Sequence, residues 1–501
     1  MNRYWKFLVI FSLILLGKLS GFFKDVLITF YHGVSVVTDA YFLSNSLASL
    51  LYMAVYSAIP IFLVPMYSRL LNRGDILEVN KELSSAISFF FLLSACIGVF
   101  VFSFGGGMLD MVSASVDSRV RALSVSYLCI MSATFVFSSL VSFFNSLQTV
   151  NKVVIPSYIV PVFNNTFFCI GLYFFNGAAE FDKVLLLGAL AWVLLLLINF
   201  FISRKSFSFV GGAAFSYFSD KKFMLLFLPA VTAFYIEQIN AFVGVYFASD
   251  LGVGAISLLS YSNKLNLIFL SVFLVFLTAS IFPRIAAVST KEGQAELFRY
   301  LTRCVRLVVI LSVPAVIYMG FYAEEIVELL FQRGNFGRDD TVKLASVFSI
   351  ILIALPFCLL RDIMNRVFFS YGDTLIPVFV SLFALFINAS FSYVLSQNFG
   401  LEGLVSSVVI STVFNSFVMI LLVQRKINSG LIIPCLHYVI ISCFCGIVAY
   451  LFLSWLHGQF FEYWWFLSIP FTLVYFLLIS VLMFYKKIHY YVSFILRRRF
   501  A

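Results

Sequence analysis

Charge is scarce in this 501-residue sequence: Asp, Glu, Lys and Arg make up 11% of it, against about 25% in an ordinary soluble domain. That scarcity excludes a soluble domain of any size. Histidine is scarcer still, and the four present (His32, His437, His457, His489) are scattered, which leaves metal chemistry without a ligand cluster. The eight cysteines (Cys96, Cys129, Cys169, Cys304, Cys358, Cys435, Cys443, Cys445) sit mostly in apolar runs and read as core fillers rather than disulfides. There is no Ser/Gly-rich linker, no low-complexity stretch and no Ser/His/Asp or paired-carboxylate constellation. An enzyme is therefore the weakest of the readings. What fills the chain instead is apolar: 62% hydrophobic and 19% aromatic, with 63 Phe and 25 Tyr. Runs of about 20 apolar residues, the length a helix needs to span a bilayer, recur from end to end. The fold class is an all-α polytopic membrane protein.

Reading apolar runs against polar breaks predicts fourteen helices, near 7–31, 38–68, 84–105, 122–148, 153–175, 184–203, 222–248, 254–283, 301–322, 341–369, 374–396, 401–423, 431–455 and 463–485. The N-terminal run has the charged and apolar regions of a signal peptide but no small-residue cleavage site, so it reads as a retained first span. Gly105-Gly106-Gly107 is expected to end the third helix, Pro229, Pro314 and Pro356 to kink theirs, and the longest outward loop to lie near 322–340. With both termini in the cytoplasm, 21 of the 33 Lys and Arg fall in cytoplasmic segments and five in the opposite loops. This bias predicts an inner-membrane protein with that orientation. The net charge of +10 is thus a topology signal, with anionic lipid contact as a second effect; it implies no nucleic acid.

A weak internal repeat is present. Ser44-Asn45-Ser46-Leu47 matches Ser262-Asn263-Lys264-Leu265 at an offset of 218, Pro65 matches Pro283 at the same offset, and Ile155-Pro156 pairs with Ile376-Pro377 at 221. The expected organisation is two six-helix pseudo-repeats around a central cavity, an N-terminal lobe over 1–213 and a C-terminal lobe over 214–428. A two-helix appendage with a basic tail follows over 429–501. Transporters often place their site between such repeats.

Two polar clusters correspond under this repeat. The first holds Lys18, Lys24, Asp25 and Asp39, with Asn45 and Ser49 further down the second helix. A charge at the bilayer centre costs about 2.5–3.5 kcal/mol on insertion scales, so buried charges imply a wet cavity. Lys24 and Asp25 equally fit the headgroup zone, where long side chains snorkel. Lys18 follows ten apolar residues, and Gly17 and Gly21 beside it allow close backbone approach. The second cluster is Lys264 with Arg361, Asp362, Asn365 and Arg366. Asp362 and Arg366 stand at i and i+4, a spacing that suits a structural pair, whereas Arg361 and Lys264 have no such partner and are the better candidates for binding an anion. Glu237, with Gln238 and Asn240, is a further polar patch at membrane depth, read as an interhelical hydrogen bond or a cation site.

Several stretches together resemble the MurJ/MviN family of lipid-linked oligosaccharide flippases, within the MATE-like multidrug/oligosaccharidyl-lipid/polysaccharide exporter superfamily. They are KLSGFFKDVLITFYHGVSVVTDAYFLSNSL (18–47), FNSLQTVNKVVIPSYIVPVFNN (144–165), IFPRIAAVSTKEG (281–293), LLFQRGNFGRDDT (329–341) and NRVFFSYGDTLIPV (365–378). The resemblance implies a central cationic cavity, alternating access, and a groove for a polyprenyl tail along the last two helices. It also implies that Lys18, Lys24, Lys264 and Arg366 stand at the family's basic positions and that Asp25 and Asp39 match its acids. The residues themselves add Arg361 to this expectation: Lys18, Lys264, Arg361 and Arg366 bind the pyrophosphate with Lys24 near the entrance, Asp25, Asp39, Asp362 and Glu237 are supporting polar groups, and the sugar meets Asn45, Ser49 and Asn165. The family usually carries two adjacent arginines where this chain has Tyr52 and Met53, and an Asp-Arg-x-x-Glu where it has Asn263-Lys264-x-x-Leu267. Lysine is a point charge without the planar bidentate reach of arginine.

The expected partner is a polyprenyl-diphosphate-linked glycan, lipid II or an O-antigen or exopolysaccharide unit, with membrane lipids and glycan-synthesis machinery nearby. No cofactor is expected, and the membrane potential or an ion gradient is expected to drive the cycle. Two other readings stay open: a MATE-like cation-coupled exporter using Asp39 and Glu237, and a membrane glycan polymerase.

Overall fold

The computed structural model describes residues 3–73, 75–112, 116–204, 207–210, 221–291, 293–428, 430–460 and 470–479, and among these there is no strand. The helices are α1 (Arg3–His32), α2 (Val36–Arg73), α3 (Ile76–Val112), α4 (Ser118–Val150), α5 (Ile155–Phe174), α6 (Phe181–Ser203), α7 (Lys221–Ala248) and α8 (Ala255–Phe276). A π-helical turn, Leu277–Ile281, leads into α9 (Phe282–Lys291). Then come α10 (Gln294–Phe321), α11 (Ala323–Phe331), α12 (Arg338–Leu352), α13 (Ala354–Ser370), α14 (Leu375–Lys426), α15 (Ile432–Phe460) and α16 (Pro470–Ile479). Ten helical segments among the described residues are long and apolar enough to cross a membrane.

The helices fall on thirteen of the fourteen expected spans, and of the last, 463–485, only Pro470–Ile479 lies within the described residues. α14 has 52 residues, about 78 Å at 1.5 Å per residue, far beyond a 30 Å hydrocarbon core. It is two passes. Gly400 breaks it with φ 58° and ψ −135°, and the Lys426 ammonium lies 3.1 Å from the Asp373 carboxylate at the opposite end of the sequence run. A hydrogen bond from Ser407 to Asn388 (3.1 Å) ties the two passes midway. The Lys426 hydrogen bond holds the Asp373 carboxyl, in the turn before α14, below its ordinary pKa.

Two local expectations are corrected. The glycine triplet does not end α3, which runs on to Val112, because Gly105 and Gly106 lie against Leu128 and Val125 of α4 and need no turn. The expected loop near 322–340 contains α11 and the start of α12. His32 closes α1, buried edge-on against Phe181.

The chain divides into two compact units: the first comprises Met1–Tyr261, Leu330–Thr341 and Ser392–Leu404, the second Ser262–Leu329, Val342–Phe391 and Val405–Ala501. The expected lobe boundary at 213/214 lies outside the described residues, as does the basic tail beyond 479. In the first unit, α2 packs on α3, α4 and α7, α1 on α5, and α6 on α4 and α5. Its core runs through Ala54, Ile59, Leu63, Phe90, Phe143 and Leu147. α1 packs on α5 past Gly17 and Gly21, where an added Cβ would meet the side chains of Pro161 and Asn165 at ordinary van der Waals distance (3.6 and 3.4 Å), so the close backbone approach expected of these glycines is not needed. In the second unit, α10 packs on α13 and α15 and α9 on α13, around Val305, Val309, Leu359, Ile363 and Met419.

One end of the first unit is closed by polar contacts. Ser35 and Thr38 cap α2 reciprocally, the Ser35 N–H donating to Thr38 Oγ1 at 2.9 Å. Gly33 and Gly334 both adopt positive φ, and a Cβ on either would collide with a backbone carbonyl oxygen, of Asn335 and Phe30 respectively. Asn335 in turn donates its backbone N–H to Phe30 and its side-chain amide to Tyr31. Only glycine permits that backbone-to-backbone approach.

Candidate functional site

In the first unit the cluster read from the sequence separates into distinct environments. Lys18 is exposed on α1. Lys24 is half-buried, its ammonium 5.2 Å from the centre of the Phe168 ring on α5, a cation–π contact. Asp25, next to it, is buried at 8% exposure. Asn165 is not directed to α2 but donates to Ser20 on α1 at 3.1 Å, so it clips α1 to α5. Glu237 is exposed on α7.

Asp39 has the best-defined role. Its carboxylate accepts the backbone N–H groups of Gly254 and Ser257 and the Ser257 hydroxyl, and the Ser257 hydroxyl also meets that of Thr38 at 2.8 Å. A carboxylate at the first turn of a helix satisfies amides that have no intrahelical acceptor. Asp39, in the first turn of α2, therefore caps α8. Ser257 stands 218 residues after Asp39, the offset of the repeat, so each residue touches its own counterpart. Tyr261 adds a hydrogen bond to the Gly33 carbonyl at 3.2 Å.

The first unit also holds a cavity of about 360 Å³ lined by Asn45, Ala48, Ser49, Tyr52, Met53, Tyr56, Met131, Thr134, Phe135, Ser138, Val160, Pro161, Asn164 and Trp192. Asn45 and Ser49, expected at a site, are both here. Tyr52 and Met53, which stand where the resembled family carries arginines, line it too. Tyr52 stacks on Phe135 (4.5 Å between centroids, 2° between planes), and the Ser138 hydroxyl donates to the Tyr52 oxygen at 3.3 Å. Tyr56, Trp192, Asn164, Thr134 and Ser138 were not singled out from the sequence. The available signals were Asn164 next to Asn165 and the hydroxyls at 134, 138 and 142, one helical face of α4.

In the second unit, Lys264 is half-buried on α8 and the α13 cluster is re-paired. Asp362 accepts two hydrogen bonds from Arg361 (3.0 and 3.1 Å) rather than bonding Arg366, four residues on. The Arg366 guanidinium instead lies 4.6 Å over the Phe282 ring. The packing of α9 on α13 offers an aromatic face to the weakly hydrated guanidinium, and that displaces the i, i+4 pair. All eight cysteines are free thiols, and among the described residues no group of His, Cys, Asp or Glu could hold a metal.

The arrangement of helices matches two solved structures. A lipid II flippase MurJ in an inward closed conformation superposes with a TM-score of 0.81 over 96% of this chain and 100% of that one, at 19% identity. An inward-facing multidrug resistance MATE family transporter of the MOP superfamily superposes with a TM-score of 0.69 over 84% and 98%, at 12% identity. The class is therefore a polytopic helical membrane protein with the fold of these transporters. Within it, the family model for the lipid II flippase MurJ matches residues 28–474, and the chain belongs to that family. Similar relatives include a probable lipid II flippase MurJ of Aquifex aeolicus (strain VF5), 26% identical over 88% of each chain. Another is the lipid II flippase MurJ of Burkholderia cenocepacia, 23% identical over 85% of this chain and 84% of that one. Membership places the chain among membrane transporters rather than enzymes.

Proposed function

We propose that this protein moves lipid II, an undecaprenyl-pyrophosphate-linked saccharide, across the bacterial inner membrane by alternating access. The observation that carries the reading is that a chain of the lipid II flippase MurJ family holds basic side chains on its helices in both units: Lys18 and Lys24 on α1 in the first, Lys264, Arg361 and Arg366 on α8 and α13 in the second. These five supply the cationic contacts for the pyrophosphate. The polyprenyl tail stays in the bilayer, both termini face the cytoplasm, and glycan-synthesis enzymes supply and consume the substrate.

No bond is made or broken, so the work is a shift between two facing states that each bind the headgroup without trapping it. The contact of Asp39 with the first turn of α8 is a bistable element in this scheme: it holds one end of the first unit closed and must part for that end to open. The membrane potential supplies about 2.3 kcal/mol per charge per 100 mV, enough for a few buried charges to bias the cycle without a bound cofactor.

Depletion of the protein in living cells, followed by protease- or label-accessibility of lipid-linked intermediates on each face, tests the assignment. Lipid II is expected to accumulate on the cytoplasmic face. Accumulation of a different polyprenyl-diphosphate glycan there, with lipid II unchanged, would replace the substrate. Efflux of small cations driven by sodium or protons, with every lipid-linked glycan unaffected, would replace the function.

A further inference from the structure

We propose that the cavity of the first unit is a seat for an uncharged saccharide ring, so that the protein reads the sugar of its substrate there and the phosphates elsewhere. The proposal rests on the flippase reading and names which part of the substrate enters this cavity.

The lining decides what can bind. None of its fourteen residues is Lys, Arg, Asp or Glu. A diphosphate placed there would lose its hydration with no cation to replace it, a penalty of several kcal/mol per ion. An organic cation would lack a carboxylate. A polyprenyl chain would strip water from the polar groups around it. Those groups are placed as hydrogen-bond partners: Asn45 and Ser49, on one face of α2, make no side-chain hydrogen bond among the described residues, and the Asn164 amide has only a long 3.5 Å contact to the Gly188 carbonyl. An amide side chain offers two donors and an acceptor, matching the hydroxyl and acetamide groups on the edge of a sugar.

The faces of the cavity are aromatic. Tyr56 and Trp192 meet edge to face at 6.4 Å, and Tyr52 has one ring face covered by Phe135. An aromatic face packs against the C–H face of a pyranose, while the tyrosine hydroxyl and the indole N–H remain available as polar handles. Asn45 and Met53 are exposed at the rim, and Tyr52, Phe135, Ser138 and Val160 are buried at the floor. The volume of about 360 Å³ is at the small end of ligand pockets, suited to one or two rings and too small for a whole lipid-linked headgroup. The substitution of Tyr52 and Met53 for basic residues thus acquires a function: the charge is absent because this cavity takes the neutral part.

The full-length protein in lipid nanodiscs, with Trp5, Trp455, Trp464 and Trp465 changed to Phe, leaves Trp192 as its fluorophore. Titration with di-N-acetylchitobiose is expected to change Trp192 emission saturably, and inorganic pyrophosphate is expected to leave it unchanged. Asn164→Ala and Tyr56→Leu should weaken the response about tenfold each, while Tyr56→Phe, which keeps the ring, retains most of it. An unchanged far-UV circular dichroism spectrum and elution volume certify that each variant is folded. A response to pyrophosphate or to ethidium but not to the disaccharide overturns the proposal, as does a disaccharide response indifferent to both Asn164→Ala and Tyr56→Leu. Vesicle translocation of lipid II by the same protein separates the two readings. Translocation without a disaccharide response removes the saccharide seat alone, and a response without translocation removes the flippase reading and leaves the seat.

Discussion

α2 and the α8–α9 segment are matching stretches of the repeat, and they differ in regularity. α2 ends at Arg73 and α9 at Lys291, the same 218 residues apart as Ser44 and Ser262. α2 is one continuous helix in spite of Pro60 and Pro65, each of which lacks the N–H of the helical ladder. Pro65 has its counterpart in Pro283, at the start of α9, whereas Pro60 corresponds to Thr278 inside the π-helical turn Leu277–Ile281, where the ladder slips by one residue. The second copy thus breaks its hydrogen-bond ladder where the first carries a proline within an unbroken helix.

Burial follows the same register. Ser44 and Ser262 are buried, Asn45 and Asn263 exposed, Ser46 and Lys264 half-buried, and Leu47 and Leu265 buried. The copies differ in what they do with those positions. Ser44 donates to the Ala40 carbonyl at 2.7 Å and to the Ser124 carbonyl of α4 at 2.9 Å, whereas the buried Ser262 hydroxyl has no hydrogen-bond partner among the described residues. At the next half-buried position, Ser46 is replaced by a charge, Lys264. The first copy has become a neutral, aromatic cavity wall, and the second carries the cation.

The comparison can be broken most severely where the two copies touch. Asp39→Asn replaces a carboxylate that accepts three hydrogen bonds with an amide that must turn donors toward donors. It is expected to cost about 2–3 kcal/mol, measured as a loss of thermal stability of the purified protein. The exchange Asp39→Ser with Ser257→Asp sharpens the test: if the positions are equivalent, the moved carboxylate caps the first turn of α2 and recovers about half of that loss. No recovery would mean that the symmetry is confined to sequence. The smallest effect separates the paired serines. Ser44→Ala should cost about 1 kcal/mol for its lost hydrogen bonds, and Ser262→Ala should be neutral or slightly stabilising, because it removes a buried hydroxyl that bonds to nothing among the described residues.

Much of this was readable from the sequence because hydrophobic length and period are local properties. The helical spans over the described residues and the repeat register follow from them. Pairings of long side chains do not. Asp362 had two basic candidates within reach, Arg361 and Arg366, and the choice depended on Phe282, which comes from α9 and is 84 residues from Arg366. The partner of Asp39 was likewise unreadable until α2 and α8 were placed, although the 218-residue offset pointed at Ser257. The cavity was half readable: Asn45 and Ser49 advertise themselves as polar groups in an apolar run, while Tyr56 and Trp192 are hidden in a chain with 25 Tyr and 63 Phe. Sequence pattern marks polar exceptions well and aromatic walls poorly.

In the proposed mechanism, basic side chains in each unit carry a lipid-linked diphosphate across the membrane. The most direct test is translocation of fluorescent lipid II in proteoliposomes by the wild type, Lys18→Ala, Lys264→Ala and the double variant, each reconstituted at equal density. Each single change is expected to slow translocation about tenfold, as loss of one charge-assisted contact implies, and the double variant to approach the protein-free rate. Translocation by the double variant at the wild-type rate would contradict the account.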